Sequence, residues 1–74
     1  MQSDIGIDIF CQNIKMLREK NGLSKKEMAE IMGISTVSLT KIESGILPPR
    51  ANVGTLFNIC KRFNIKPHKL FMPL

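Results

Sequence analysis

The residues of this chain that could do chemistry gather between Lys25 and Arg50, and they are hydroxyls and cations. With Leu39 taken as the inward direction and 100° turned per residue, the stretch from Thr36 to Glu43 places Ile42 beside Leu39. The same turn sends Val37, Thr40, Lys41 and Ser44 outward, with Thr36 at the exposed start. Hydroxyls, one ammonium and one branched apolar group on a single helix face suit hydrogen-bonded recognition of a polar partner. Val37 leaves two readings open, because scattered apolar residues are normal on a surface but a methyl-sized contact would also use it. Lys25, Lys26 and Arg50, with Ser38, could meet an anion; each lysine taken singly is equally a solvated charge. Bond-making chemistry has no equivalent set. His68 is the single histidine, and Cys11 and Cys60 stand far apart without CxxC or Cys/His ligand spacing. A nucleophile–base pair and a zinc site therefore both lack parts. The thiols read as buried and reduced, and no enzyme activity, metal, cofactor or small-molecule effector is expected.

The elements that must position this face are helical. Met28, Ala29, Met32, Ile34, Leu39 and Ile42 recur at the spacing of two short helices buried against each other, about 25–32 and 36–43. Gly33 stands at the joint, where a positive φ costs a residue without Cβ almost nothing. Ser24 with Glu27 three residues on has capping-box spacing, and Ser35 can cap the second helix. Before the pair, Phe10, Ile14 and Leu17, with Ile7 beside them, define a helix about 8–20 that Asn21-Gly22 ends. Met1 to Gly6 reads as a loose arm, with Ser3 or Asp4 able to cap an early turn. After Ser44-Gly45, Pro48 and Pro49 forbid continuation. Asn52 then caps a helix about 53–63 whose Val53, Leu56, Ile59, Cys60 and Phe63 share one face. Pro67 starts a short fifth helix, about 67–71, carrying Leu70 and Phe71. No alternating run is long enough for a strand, so the expected class is all-α.

Seventy-four residues with a formal charge of +5 are expected to make one small domain, residues 1–74, with an anionic partner. Charge alone does not separate nucleic acid from a membrane surface. No apolar run approaches the roughly 20 residues of a membrane span and no signal-peptide layout appears, so the expected location is cytoplasmic and no membrane partner is expected.

The spacing Ala29-x3-Gly33-Ile34-Ser35-x3-Leu39-x2-Ile42-Glu43-x-Gly45 resembles the helix-turn-helix of the Xre/Cro family of DNA-binding regulators, over roughly Phe10 to Phe71. The resemblance implies a compact five-helix, lambda-repressor-like bundle binding double-stranded DNA as a transcriptional regulator, more naturally a repressor. It implies that Thr36, Val37 and Lys41, flanked by Ser38 and Thr40, occupy positions that touch base edges. Val37 would then meet a thymine methyl, and Lys41 could donate to guanine O6 or N7. Lys25 opens a helix where many relatives carry Gln; it keeps the attraction for phosphate and loses an amide that could brace a reading side chain. Lys25, Lys26, Ser38 and Arg50 are the phosphate candidates. Arg18 and Glu43, both at the margins of buried stripes, match an arginine and glutamate that the family pairs.

A single module of this kind buries about 600–1,000 Å² on DNA, which favours a homodimer on half-sites about 34 Å apart. Ile46, Leu47, Phe57, Met72 and Leu74 lie outside the inward stripes and could serve that contact, or could finish a small core. The competing reading is a protein-interaction module of the same fold, an antitoxin or anti-repressor partner. The cations around a small polar face suit phosphate better than an apolar protein surface.

Overall fold

The computed structural model describes residues 5–47 and 53–74. Four α-helices and one 3-10 helix follow in order: α1 (Ile5–Lys20), α2 (Lys25–Met32), α3 (Thr36–Glu43), α4 (Val53–Phe63) and the 3-10 helix (Pro67–Phe71). The described residues include no strand, and the all-α class expected from the periodicity is the class observed. Ser3 and Asp4, Pro48 and Pro49, Arg50 and the expected cap Asn52 lie outside the described residues.

α1 starts earlier than expected, and the short fifth helix stands at the expected residues in the tighter 3-10 form. α1 begins at Ile5 rather than Asp8, taking in Ile5 and Gly6 from the expected arm. Ile7, three residues before Phe10, packs partly buried against the core, so the apolar stripe extends one turn towards the N-terminus. The fifth helix is 3-10 rather than α: Lys69 N donates to Lys66 O and Met72 N to Lys69 O, at 3.0 and 3.2 Å. Pro67 fixes the entry, and Met72 is already extended, which leaves no length for an α-helical ladder.

Each α-helix closes in the same way. The amide two residues beyond the closing turn reaches back five positions: Leu23 to Arg18 O, Ile34 to Ala29 O, Ile46 to Lys41 O and Ile65 to Cys60 O, at 2.8–3.1 Å. The residue before each has positive φ, and at α4 that residue is Asn64 rather than glycine. These are Schellman closures, with an apolar residue placed to fold back onto the helix. Leu23, Ile34 and Ile65 do pack on the core, whereas Ile46 stays 58% exposed.

The core is built from Ile14, Met28, Met32, Leu39, Ile42, Ile59 and Leu70, all but sealed from solvent. α2 packs on α3 and α4, α1 on α3 and the 3-10 helix, and α4 on the 3-10 helix. Ile34 is half-buried rather than fully covered. Val53, expected on the inward face of α4, is 67% exposed, and Thr55 is buried instead. Ile59 sets the inward direction there, and Val53 stands about 120° from it at 100° per residue. Cys11 is buried and Cys60 half-buried, both as free thiols. Burial raises the pKa of each, with Asp8 adding to the effect on Cys11.

Asn13 is a buried polar residue on the apolar stripe of α1. Its Nδ2 donates to Leu70 O and Met72 O, both at 2.8 Å, tying the 3-10 helix to α1. Phe71, 41% exposed, stacks on Phe10 with ring centroids 5.2 Å apart.

Candidate nucleic-acid interface

The candidate face begins with how α2 and α3 are started and joined. Ser24 Oγ accepts from Glu27 N at 3.0 Å while Glu27 Oε1 accepts from Ser24 N at 2.9 Å, a complete capping box. The hydrogen bond from the Ser24 amide lowers the Glu27 pKa. Lys25 and Lys26 follow immediately, both exposed, at the positive end of the helix dipole where phosphate is favoured. Gly33 ends α2 at φ 72°, and a Cβ there would lie 3.2 Å from Asn58 Nδ2. That Asn58 amide also donates to Met32 O at 3.3 Å, so α4 holds the turn between α2 and α3.

Ser35 caps α3, its Oγ accepting from Ser38 N at 3.1 Å and donating to Ser38 Oγ at 3.0 Å. Leu39 and Ile42 face inward, fully covered. Thr36, Val37, Thr40 and Lys41 are all exposed, Val37 to 67%, so the structure brings the four together on one outward face. Ser38 is half-buried at the edge of that face, and Arg50 lies outside the described residues. The single carboxylate of α3, Glu43, is turned away, its side chain only 5% exposed. The outward surface of α3 therefore carries a cation and no anion.

Glu43 meets Arg18 across the α1–α3 contact. Arg18 Nε donates to Glu43 Oε2 at 2.6 Å and Nη2 to Oε1 at 3.0 Å, a two-point fork; Nη1 donates to Leu23 O at 3.2 Å. The hydrogen bond to Glu43 raises the guanidinium pKa, against the opposing effect of burial. One arginine thus joins the end of α1, the link to α2 and the end of α3.

Sequence reasoning missed two polar anchors, Asn13 on α1 and Asn58 behind the α2–α3 turn. Asn13 stands three residues after Phe10 and four before Leu17, so its place on the buried stripe was readable from helical spacing. Asn58 has no such signal, because its role depends on the path of the α2–α3 turn. Among the described residues no group of His, Cys, Asp or Glu could hold a metal ion, and no helix is long and apolar enough to cross a membrane.

No curated protein and no solved structure matches the chain significantly. A family model described as helix-turn-helix matches residues 14–70, well over half of the chain and all of α2, α3 and α4. With that match over the turn, the caps and the outward face just described, the chain belongs to the Xre and lambda-repressor type of helix-turn-helix protein, a family of DNA-binding regulators.

Proposed function

We propose that this protein is a sequence-specific regulator that lays α3 in the major groove of double-stranded DNA and represses by occluding promoter sequence. The observation that carries the reading is the outward face of α3. Its apolar Val37 is 67% exposed beside Thr36, Thr40 and Lys41, while its one carboxylate is folded inward onto Arg18. An exposed branched side chain gains nothing from water, but gains a contact against a thymine methyl. In this reading Lys41 donates to guanine, and Lys25 and Lys26 with Ser38 and Arg50 hold phosphates on either side. Phosphate contacts then set register while α3 reads sequence.

The protein would act as a homodimer. Ile46, Leu47, Phe57, Met72 and Leu74 are each at least 40% exposed, a large apolar share for a small chain. Of these, Leu47 also lines an open recess of about 290 Å³, with Ile7, Phe10, Val53, Leu56 and Phe71.

Selection from a random pool of duplexes tests both parts. The expected result is one enriched motif arranged as an inverted repeat, with half-site centres about one helical turn apart. Failure to enrich any sequence would overturn the regulator reading. A single unrepeated motif, bound by a particle that scatters light as a monomer, would overturn the dimer.

A further inference from the structure

The hydroxyls of α3 are not interchangeable donors and acceptors, because the helix has already used some of their hydrogens. Thr40 Oγ1 donates to Thr36 O at 3.0 Å, and Ser44 Oγ donates to Thr40 O at 2.9 Å. Each is a bond from a side chain to the carbonyl four residues earlier, a recurrent way for Ser and Thr to satisfy themselves within a helix. A hydroxyl carries one hydrogen and two lone pairs. Once the hydrogen is committed to the backbone, the side chain offers lone pairs to anything outside. Lys41 is the reverse, an ammonium with three donors and no acceptor.

Four residues per turn-and-a-bit separate Thr36, Thr40 and Ser44 into one row, with Val37 and Lys41 in the adjacent row. The first row presents acceptors at Thr40 and Ser44. The second presents methyl groups and then a donor. The two rows are therefore opposite in hydrogen-bond polarity.

The major groove supplies matching partners. Adenine N6 and cytosine N4 are its donors, whereas guanine O6, the purine N7 atoms and thymine O4 are acceptors. We infer that Thr40 selects an amino-bearing base, adenine or cytosine, and rejects the keto bases guanine and thymine at the position it covers. Turning its hydrogen towards a keto oxygen would break the bond to Thr36 O, whereas accepting from an amino group leaves that bond intact. The operator half-site is thus specified chemically: an amino-bearing base under Thr40 and a hydrogen-bond acceptor on the base edge under Lys41. This inference rests on the placement of α3 in the major groove proposed above.

The test compares wild type with Thr40→Val and Thr40→Ser in selection from a random duplex pool. Thr40 is exposed, and Val keeps its branched shape while removing the hydroxyl. Wild type should show one position restricted to adenine or cytosine on the contacted strand. Thr40→Val should lose preference at that position alone, and Thr40→Ser should keep it. In the best wild-type duplex, the base at that position is then replaced by its analogue without the amino group. Wild-type affinity should fall about 3–10-fold, the scale of one neutral hydrogen bond, while Thr40→Val should not respond. A Thr40-dependent position at which wild type responds to loss of the keto oxygen on the opposite strand, and not to loss of the amino group, would overturn the inference, as would equal response of wild type and Thr40→Val to the analogue. If Thr40→Val changes preference nowhere, the inference also fails while the regulator reading stands. Failure of wild type to enrich any sequence is a different result, and sinks the parent reading.

Discussion

Glu43→Ala is the perturbation with the largest expected effect on the scaffold. It leaves Arg18, 15% exposed, facing a gap where two short charge-assisted bonds stood, with the Leu23 carbonyl as its remaining acceptor. An exposed ion pair would be worth only about 0–1 kcal/mol. This one is mostly covered on both sides and bidentate, so the relevant scale is the loss of one partner from a buried pair, about 3–5 kcal/mol. We take the lower end, ~3 kcal/mol, because Arg18 keeps some contact with water. For a domain of this size each kcal/mol moves the midpoint by about 4–8 °C, giving a fall of roughly 12–24 °C. That is comparable with the whole stability a core this small supplies, about 3–5 kcal/mol, so part of the variant population should be unfolded at room temperature. Thermal unfolding followed by far-UV circular dichroism reads the effect directly. The double variant Arg18→Met with Glu43→Leu should recover much of the loss, because paired apolar side chains leave no stranded charge. A Glu43→Ala midpoint within about 2 °C of wild type would refute the reasoning and make the fork an ornament of the surface.

Other positions give independent checks. Gly33→Ala forces a Cβ into a left-handed backbone and to 3.2 Å from Asn58 Nδ2, and should cost about 1–2 kcal/mol in chemical denaturation; an unchanged midpoint would contradict it. Asn13→Ala removes both bonds that anchor the 3-10 helix; it should cost about 1–3 kcal/mol and speed hydrogen exchange in the 3-10 helix and the following amides before exchange in α2. The Glu27 carboxyl has a folded pKa below its unfolded value, so the stability it contributes is present above the unfolded pKa, about 4.3. That contribution is lost as pH falls through the folded value. Glu27→Gln should flatten this acid-side slope, and an identical slope in the variant would show that the carboxylate is not involved.

Much of the architecture was legible because local chemistry and burial point the same way. α2 and α3 start and end where expected because Ser24, Gly33 and Ser35 each satisfy a helix terminus in a residue-specific manner. The outward face of α3 follows from Leu39 and Ile42 alone, since two buried residues fix the rotation of an eight-residue helix. The start of α1 was hidden because Ile5 and Gly6 carry no helical signal themselves, and the extra turn is tied to Ile7 packing on distant residues. Val53 faces solvent because a first-turn residue at the edge of an apolar stripe is placed by tertiary contact, not by its own hydrophobicity. Thr55 shows the converse, a polar residue covered because of its angle on the helix. The commitment of the Thr40 hydrogen to Thr36 O lies deeper still, since composition names a hydroxyl without saying which way it points.

The central claim, that α3 reads bases while flanking cations hold phosphates, is tested most directly by the salt dependence of affinity for the selected duplex. Fluorescence anisotropy across a salt series should give log affinity falling linearly with log salt, about 0.9 per phosphate neutralised. Lys25→Gln should lower that slope by about one at every sequence, whereas Val37→Ala should leave the slope unchanged and weaken preference at one base position. Affinity indifferent to salt, or a Val37→Ala protein with the sequence preference of wild type, would contradict the account.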